Sequence, residues 1–263
     1  MNRSQQFFTK IRFPLFFLLS YLLSWWLLAL MPKTIMSPGP AFAAVIVLAL
    51  TSGREGLREF WRRLTNFRGG WWYLFGPAIL AGAVIAAFVI NVLLGAPISG
   101  PPRMPLEVII ILLIAGGEWE EPGWTGYALP ELQKRYARAA NGPLIATLIL
   151  GVFRGVWHLP LVLTGAIPWY DAVLLTPLVF QPIISWLYNK TGGSVPVVMV
   201  FHYASNLLGG ISGQLFGDPA AEQQRILFYA FGFLAAIVIA WKTQFKFGWR
   251  GEQSEPVGTP AGA

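Results

Sequence analysis

Glu120, Glu121, His158, His202 and Asn206 are the side chains in this sequence best suited to chemistry. They are acid–base and hydrogen-bonding types, the kind that hydrolysis of a carbonyl compound requires. The chain holds two histidines and no cysteine. That removes disulfides, Cys-ligated zinc and a thiol nucleophile, so catalysis or metal binding falls to His, carboxylates and amides. His202 and Asn206 are four apart, which on a helix stacks them on one face with Cβ atoms about 5–6 Å apart. Ser205 is rotated off that face and no G-x-S-x-G elbow occurs, which weighs against a serine mechanism.

These residues must be positioned by elements that live in lipid. The 263 residues are 55% apolar and 12% charged, whereas a soluble domain carries about 25% charge. A helix needs about 20 apolar residues to cross roughly 30 Å of hydrocarbon. Segments approaching that length recur at 13–31, 36–52, 71–95, 105–128, 143–163, 170–189, 194–213 and 225–242. The expected fold is therefore all-α and polytopic, with about eight transmembrane helices. Residues 1–250 form one domain with its core at 105–215, and a polar, Gly/Pro-rich tail at 251–263 reads as disordered. The first span follows Arg3, Lys10 and Arg12 as a secretory signal would, but its apolar run exceeds the about 7–15 residues of a signal, so it reads as a retained anchor.

The formal charge of +7 sits between the spans rather than on a soluble face, which points to a lipid bilayer and not to nucleic acid. Lys and Arg concentrate in 54–68, 134–138, Lys190 and 242–250, against Lys33, Arg103 and Arg225 in the alternate loops. By the positive-inside bias both termini are cytoplasmic, and the chain is a multi-pass protein of the cell (plasma) membrane. Within 54–68, Leu57, Phe60, Trp61 and Leu64 share one helical face. That helix reads as interfacial, apolar side to the acyl boundary, the alternative being a helix docked on the bundle.

Ionisable groups at bilayer depth face a bundle interior or a water-filled cavity, since a carboxylate at a helix centre costs about 2.5–3.5 kcal/mol. Both histidines, Arg154 and the run Glu118, Glu120, Glu121 fall in or at the end of expected spans. Each has a plain structural alternative: a histidine bonded to a carbonyl, an asparagine joining helices, an arginine reaching a headgroup, glutamates lying in a loop. Their concurrence on three spans is the more specific signal.

Three motifs carry a family resemblance: Glu120-Glu121-Pro122-Gly123-Trp124-Thr125-Gly126-Tyr127, Gly155-Val156-Trp157-His158-Leu159-Pro160 and His202-Tyr203-Ala204-Ser205-Asn206. They resemble those of the CPBP family of intramembrane proteases, which includes the CAAX prenyl proteases and many bacterial Abi-type homologues. Two positions depart from the family pattern. Thr125 stands where the pattern has arginine, and Arg154 where it has an aromatic residue.

The resemblance implies an endopeptidase in which Glu120, helped by His158, activates water for attack on a peptide bond while His202 and Asn206 polarise the carbonyl. Its substrate would be a membrane-associated protein or lipidated peptide, reached from the cytoplasm. Whether a divalent metal such as zinc takes part stays open at this point: Glu120, His158 and His202 would make a His₂Glu set, but no H-E-x-x-H motif occurs. Arg154 is expected to supply, across a helix interface, the cation that Thr125 does not, keeping Glu121 ionised. The competing functions are a proton-coupled transporter, which would show inverted repeats, and a catalytically inactive membrane scaffold.

Overall fold

Backbone N–H and C=O groups find no water partner in hydrocarbon, so a lipid-embedded chain closes its hydrogen bonds within helices. The computed structural model describes residues 3–251 and is helical throughout, with a single antiparallel bridge, Ile98 to Phe216, outside the helices. In chain order the α-helices are α1 Arg3–Trp25, α2 Gly39–Thr51, α3 Gly53–Leu64, α4 Trp72–Leu93, α5 Leu106–Ala115, α6 Leu129–Arg135, α7 Gly142–Trp157, α8 Leu159–Leu163, α9 Gln181–Lys190, α10 Val195–Gly213 and α11 Ala220–Lys242. Short 3₁₀ turns lie at Trp26–Ala29 and Gly117–Glu120, and π-helices at Pro122–Ala128 and Asp171–Phe180. The expected disordered tail lies, from residue 252 on, outside the described residues.

Among the described residues six segments are long and apolar enough to cross a membrane: Lys10–Ala29, Trp72–Leu93, Gly142–Leu163, Asp171–Lys190, Val195–Gly213 and Ala220–Lys242. The chain is an integral, multi-pass membrane protein. The second expected span is a helix of 13 residues, Gly39–Thr51, too short to cross alone at about 1.5 Å per residue. The fourth, expected as one helix over 105–128, is broken. Gly116 is extended (ψ 178°), and the chain then passes through the 3₁₀ turn and the π-helix before α6 resumes an α-helical path. Two adjacent glycines and Pro122 give local reasons for the interruption. The fifth span is interrupted at His158, just before Pro160.

The amphipathic segment also differs from expectation. In α3, Phe60 is buried while Leu57 and Leu64 pack against the core, leaving Trp61 exposed. Arg63 donates from Nη1 to the Gly126 carbonyl (3.0 Å). The helix thus turns most of its apolar face onto the bundle rather than to lipid. Beside it Glu59 accepts hydrogen bonds from Arg62 (2.7 Å), and this bond first, with the charges of Arg62 and Arg63, holds its carboxyl below the usual range.

The core is aromatic. Phe16 meets Trp124 edge-on at 5.5 Å, Trp124 meets Trp157 at 6.0 Å, and Phe17 stacks on Phe153 at 4.0 Å. Tyr21 and Trp25 of α1 donate to the Phe153 and Trp157 carbonyls of α7 (2.8 and 3.0 Å). Polar bonds tie the other side: Asn91 on α4 donates to the Ala220 carbonyl (3.0 Å), and Gln224 on α11 to Ser212 on α10 (3.0 Å). Close packing of α2 on the first π-helix depends on Gly123, where a Cβ would run into the backbone of Pro40. Overpacking of this kind costs about 1–3 kcal/mol. Gly123→Val should therefore lower the detergent melting temperature, and an unchanged transition would contradict this packing.

Candidate active site

The break at Gly116–Gly117 turns Glu118, Glu120 and Glu121 inward, and all three are buried, with Glu121 fully enclosed. Without the break, a straight helix would distribute these closely spaced carboxylates around its circumference, some of them toward lipid. A Cβ on Gly117 would stand 2.7 Å from His202 Nε2 and 3.2 Å from Glu120 Oε1. Glycine there lets the backbone come close to the Glu120 and His202 side chains.

Arg154, on the last turn of α7, is buried to 2% exposure and lies between the glutamates. Its Nη2 pairs with Glu121 Oε1, and its Nε lies 3.4 Å from Glu120 Oε2. Glu121 also accepts from Thr125 Oγ1 (2.5 Å) and from His202 Nδ1 (2.7 Å). Glu120 accepts from Trp124 Nε1 (2.8 Å), and its Oε1 lies 3.6 Å from His202 Nε2. A further polar chain supports Arg154: its Nη1 donates to Gln181 (3.4 Å), Gln181 donates to Ser185 (3.2 Å), and Thr147 donates to Ser185 (3.1 Å).

These bonds set the histidine tautomers. A carbonyl can only accept, so His158 Nδ1, 2.8 Å from the Arg154 carbonyl, is the donor and its Nε2 is left with the lone pair. An ionised Glu121, held by Arg154, likewise requires the proton on His202 Nδ1. Arg154 Nη2 and His202 Nδ1, 3.2 Å apart, are then two donors converging on one carboxylate oxygen. His202 Nε2 is left facing Glu120.

His158, His202 and Asn206 line one cavity of about 180 Å³ together with Arg154, as the spacing His202–Asn206 requires of a common helix face. The structure brings all five expected site residues and Arg154 into this region. Sequence reasoning left out Trp124, Gln181 and Gly117 as contributors. Gln181 had a visible signal, an amide inside an apolar span, whereas Trp124 and Gly117 are ordinary residues of membrane helices. Glu118 is 3% exposed and neither of its carboxylate oxygens has a hydrogen-bond partner.

The zinc set Glu120, His158 and His202 does not fit the arrangement. Among the described residues no three His, Asp or Glu side chains converge closely enough to hold a metal ion. The positive charge beside Glu120 is supplied by the Arg154 guanidinium.

Residues 102–208 match a family described as type II CAAX prenyl endopeptidase Rce1-like. The chain is also 25% identical over 200 residues to CAAX prenyl protease 2 of Methanococcus maripaludis, an alignment covering 66% of this chain and 70% of that protein. The matched stretch spans all three motifs, from the glutamate pair through Asn206. The motifs, the helical fold and both similarities support a membrane peptidase similar to the CPBP family, which includes the CAAX prenyl proteases.

Proposed function

We propose that this peptidase hydrolyses a peptide bond of a membrane-associated protein within the bilayer, using water activated by Glu120. The observation that carries the reading is the unequal environment of the paired glutamates. Glu121 is occupied by Arg154, Thr125 and His202, whereas Glu120 has its contacts on Oε2 alone, a hydrogen bond from Trp124 and the longer 3.4 Å approach of Arg154 Nε, and keeps Oε1 toward His202. One carboxylate organises charge and the other is available as a base.

In this reading Glu120 takes a proton from water as the water oxygen attacks the carbonyl carbon. The bond to the nitrogen then breaks, and the proton passes to the leaving amine through Glu120 or His158, whose Nε2 carries a lone pair. The oxyanion is met by the Asn206 amide and by His202 Nε2. His202 donates from Nε2 while Nδ1 remains bonded to Glu121 when both ring nitrogens carry protons. Hydrogen-bond donors fixed in a dry site need no reorganisation as the charge develops. The enzyme would act in the cell membrane with both termini cytoplasmic.

Arg154 serves here as a positioning residue. It carries the cation that the family pattern places at position 125, delivered from α7 instead of from the same segment as Glu121. Thr125 keeps a neutral hydrogen bond to that glutamate.

Glu120→Gln should lower cleavage of membrane-protein substrates by about 10²–10⁴-fold with His202 and Asn206 intact. Asn206→Ala should lower it by about 10²–10³-fold. Detergent-purified protein and a gel-based cleavage assay measure both, and wild-type turnover in Glu120→Gln would remove Glu120 from the mechanism. Arg154→Ala leaves Glu121 as an unpaired buried carboxylate and should cost about 3–5 kcal/mol of stability. Thr125→Arg in that background should recover much of the loss and of the activity. A stable, fully active Arg154→Ala enzyme, or failure of Thr125→Arg to restore either property, would contradict the exchange of cation position.

A further inference from the structure

Positive charge gathers around a cleft that no active-site residue lines. The cleft, of about 880 Å³, is bounded by α3, α6, the end of α9 with the turn after it, and the segment that follows α11. Its walls carry Arg62, Arg63, Lys134, Lys190 and Arg250 against one carboxylate, Glu59. Glu59 is shared between Arg62 and Arg63, at 2.7 and 3.1 Å, and cannot balance the rest. Cations held together in this way repel one another unless an anion joins them.

The walls are fixed by the protein's own hydrogen bonds. Asn189 donates to the Phe247 carbonyl (3.0 Å), Asn66 to the Gly192 carbonyl (3.1 Å) and Ser194 to the Asn66 carbonyl (2.6 Å). Among the lining residues, Gln133 of α6 is 2% exposed, yet its side-chain nitrogen has no hydrogen-bond partner among the described residues. A buried donor without an acceptor is costly, and an anion seated in the cleft would bring acceptor oxygens.

The setting favours a lipid over a soluble anion. A second cleft, of about 1060 Å³, shares Glu59, Arg62, Arg63 and Lys134 and runs on to Trp61, which is exposed on α3. Trp249 lines the first cleft. Exposed Trp71 stacks on Trp72, which meets Trp186 of α9 edge-on at 5.1 Å, one turn before Lys190. Tryptophans concentrate at the level of the headgroups, and basic pockets on the cytoplasmic side of membrane helices suit anionic headgroups.

We infer that this cleft binds the headgroup of an anionic phospholipid of the cytoplasmic leaflet, at a fixed site separate from the catalytic cavity. The inference rests on the orientation set by charge and is independent of the peptidase reading. The phosphodiester meets the cationic walls, and the acyl chains leave past Trp61. Arg63 also donates to the Gly126 carbonyl (3.0 Å) of the first π-helix, which α6 continues. An occupied cleft therefore braces the segment that follows Glu120 and Glu121.

Native mass spectrometry of the full chain in neutral detergent, titrated with phosphatidylglycerol or with phosphatidylcholine of the same acyl chains, measures the affinities. Phosphatidylglycerol should bind about ten-fold more tightly. Lys190→Gln combined with Arg250→Gln removes two exposed cations and should weaken phosphatidylglycerol by about ten-fold, with phosphatidylcholine unchanged. Lys33→Gln combined with Arg103→Gln, in the opposite loops, should change neither affinity. Added phosphatidylglycerol should raise the detergent melting temperature, and Gln133→Leu should shrink that rise relative to the wild type, whatever its own lipid-free value. Equal affinity for the two lipids, an equal loss in the Lys33/Arg103 control, or an undiminished rise in Gln133→Leu would overturn the inference. Two other occupants would overturn it as well. Glycerol phosphate without acyl chains would raise the melting temperature equally if the ligand were a soluble phosphate. Phosphatidylglycerol would bind only after removal of residues 252–263 if Glu252 and Glu255 of this chain filled the cleft.

Discussion

A buried guanidinium between two buried glutamates is the constraint around which this fold is arranged. Charges removed from water are tolerated only when paired and fully hydrogen-bonded. Arg154 meets that condition through Glu121, Glu120 and Gln181, and Glu121 meets it through Arg154, Thr125 and His202. The pairing draws four segments together: the broken fourth span, the last turn of α7, the start of α9 and the middle of α10. Helices that would otherwise associate through apolar packing alone are thereby given a specific depth and rotation.

The same cluster separates structural work from chemical work. With Glu121 committed to three partners, the histidine beside it has one nitrogen fixed and the other turned toward Glu120. His158 is oriented independently, by the carbonyl of Arg154 one helical turn earlier. In the proposed mechanism the reacting atoms thus sit on a framework whose own hydrogen bonds are already made, as a preorganised site requires. The irregular backbone at Gly116–Ala128 belongs to this arrangement, since non-helical chain at membrane depth is tolerated where it is enclosed by protein or lines a cavity.

Much of this was legible in the sequence. Apolar run length gave the spans, the spacing His202–Asn206 gave a shared face, and the misplaced Arg154 gave the pairing with Glu121. The form of the fourth span was not legible, because apolar composition is the same for one long helix and for a short helix followed by a 3₁₀ turn and a π-helix. Gly116-Gly117 and Pro122 were the only local signs, and membrane helices often tolerate both residue types. The face of α3 was misread for a related reason. Leu57, Phe60 and Leu64 are equally suited to lipid and to a protein core, and only the position of Gly126 beneath Arg63 decides between them.

The central claim is that Arg154 and Glu121 are energetically one unit. A double-mutant cycle with Glu121→Gln, Arg154→Gln and the double variant, measured by unfolding in one detergent, isolates their coupling. Each single variant strands a buried charge, so the account predicts that the double variant is more stable than either single one, with a coupling of about 3 kcal/mol, the upper end for contacting residues. Additive losses, with no coupling between the two positions, would contradict it.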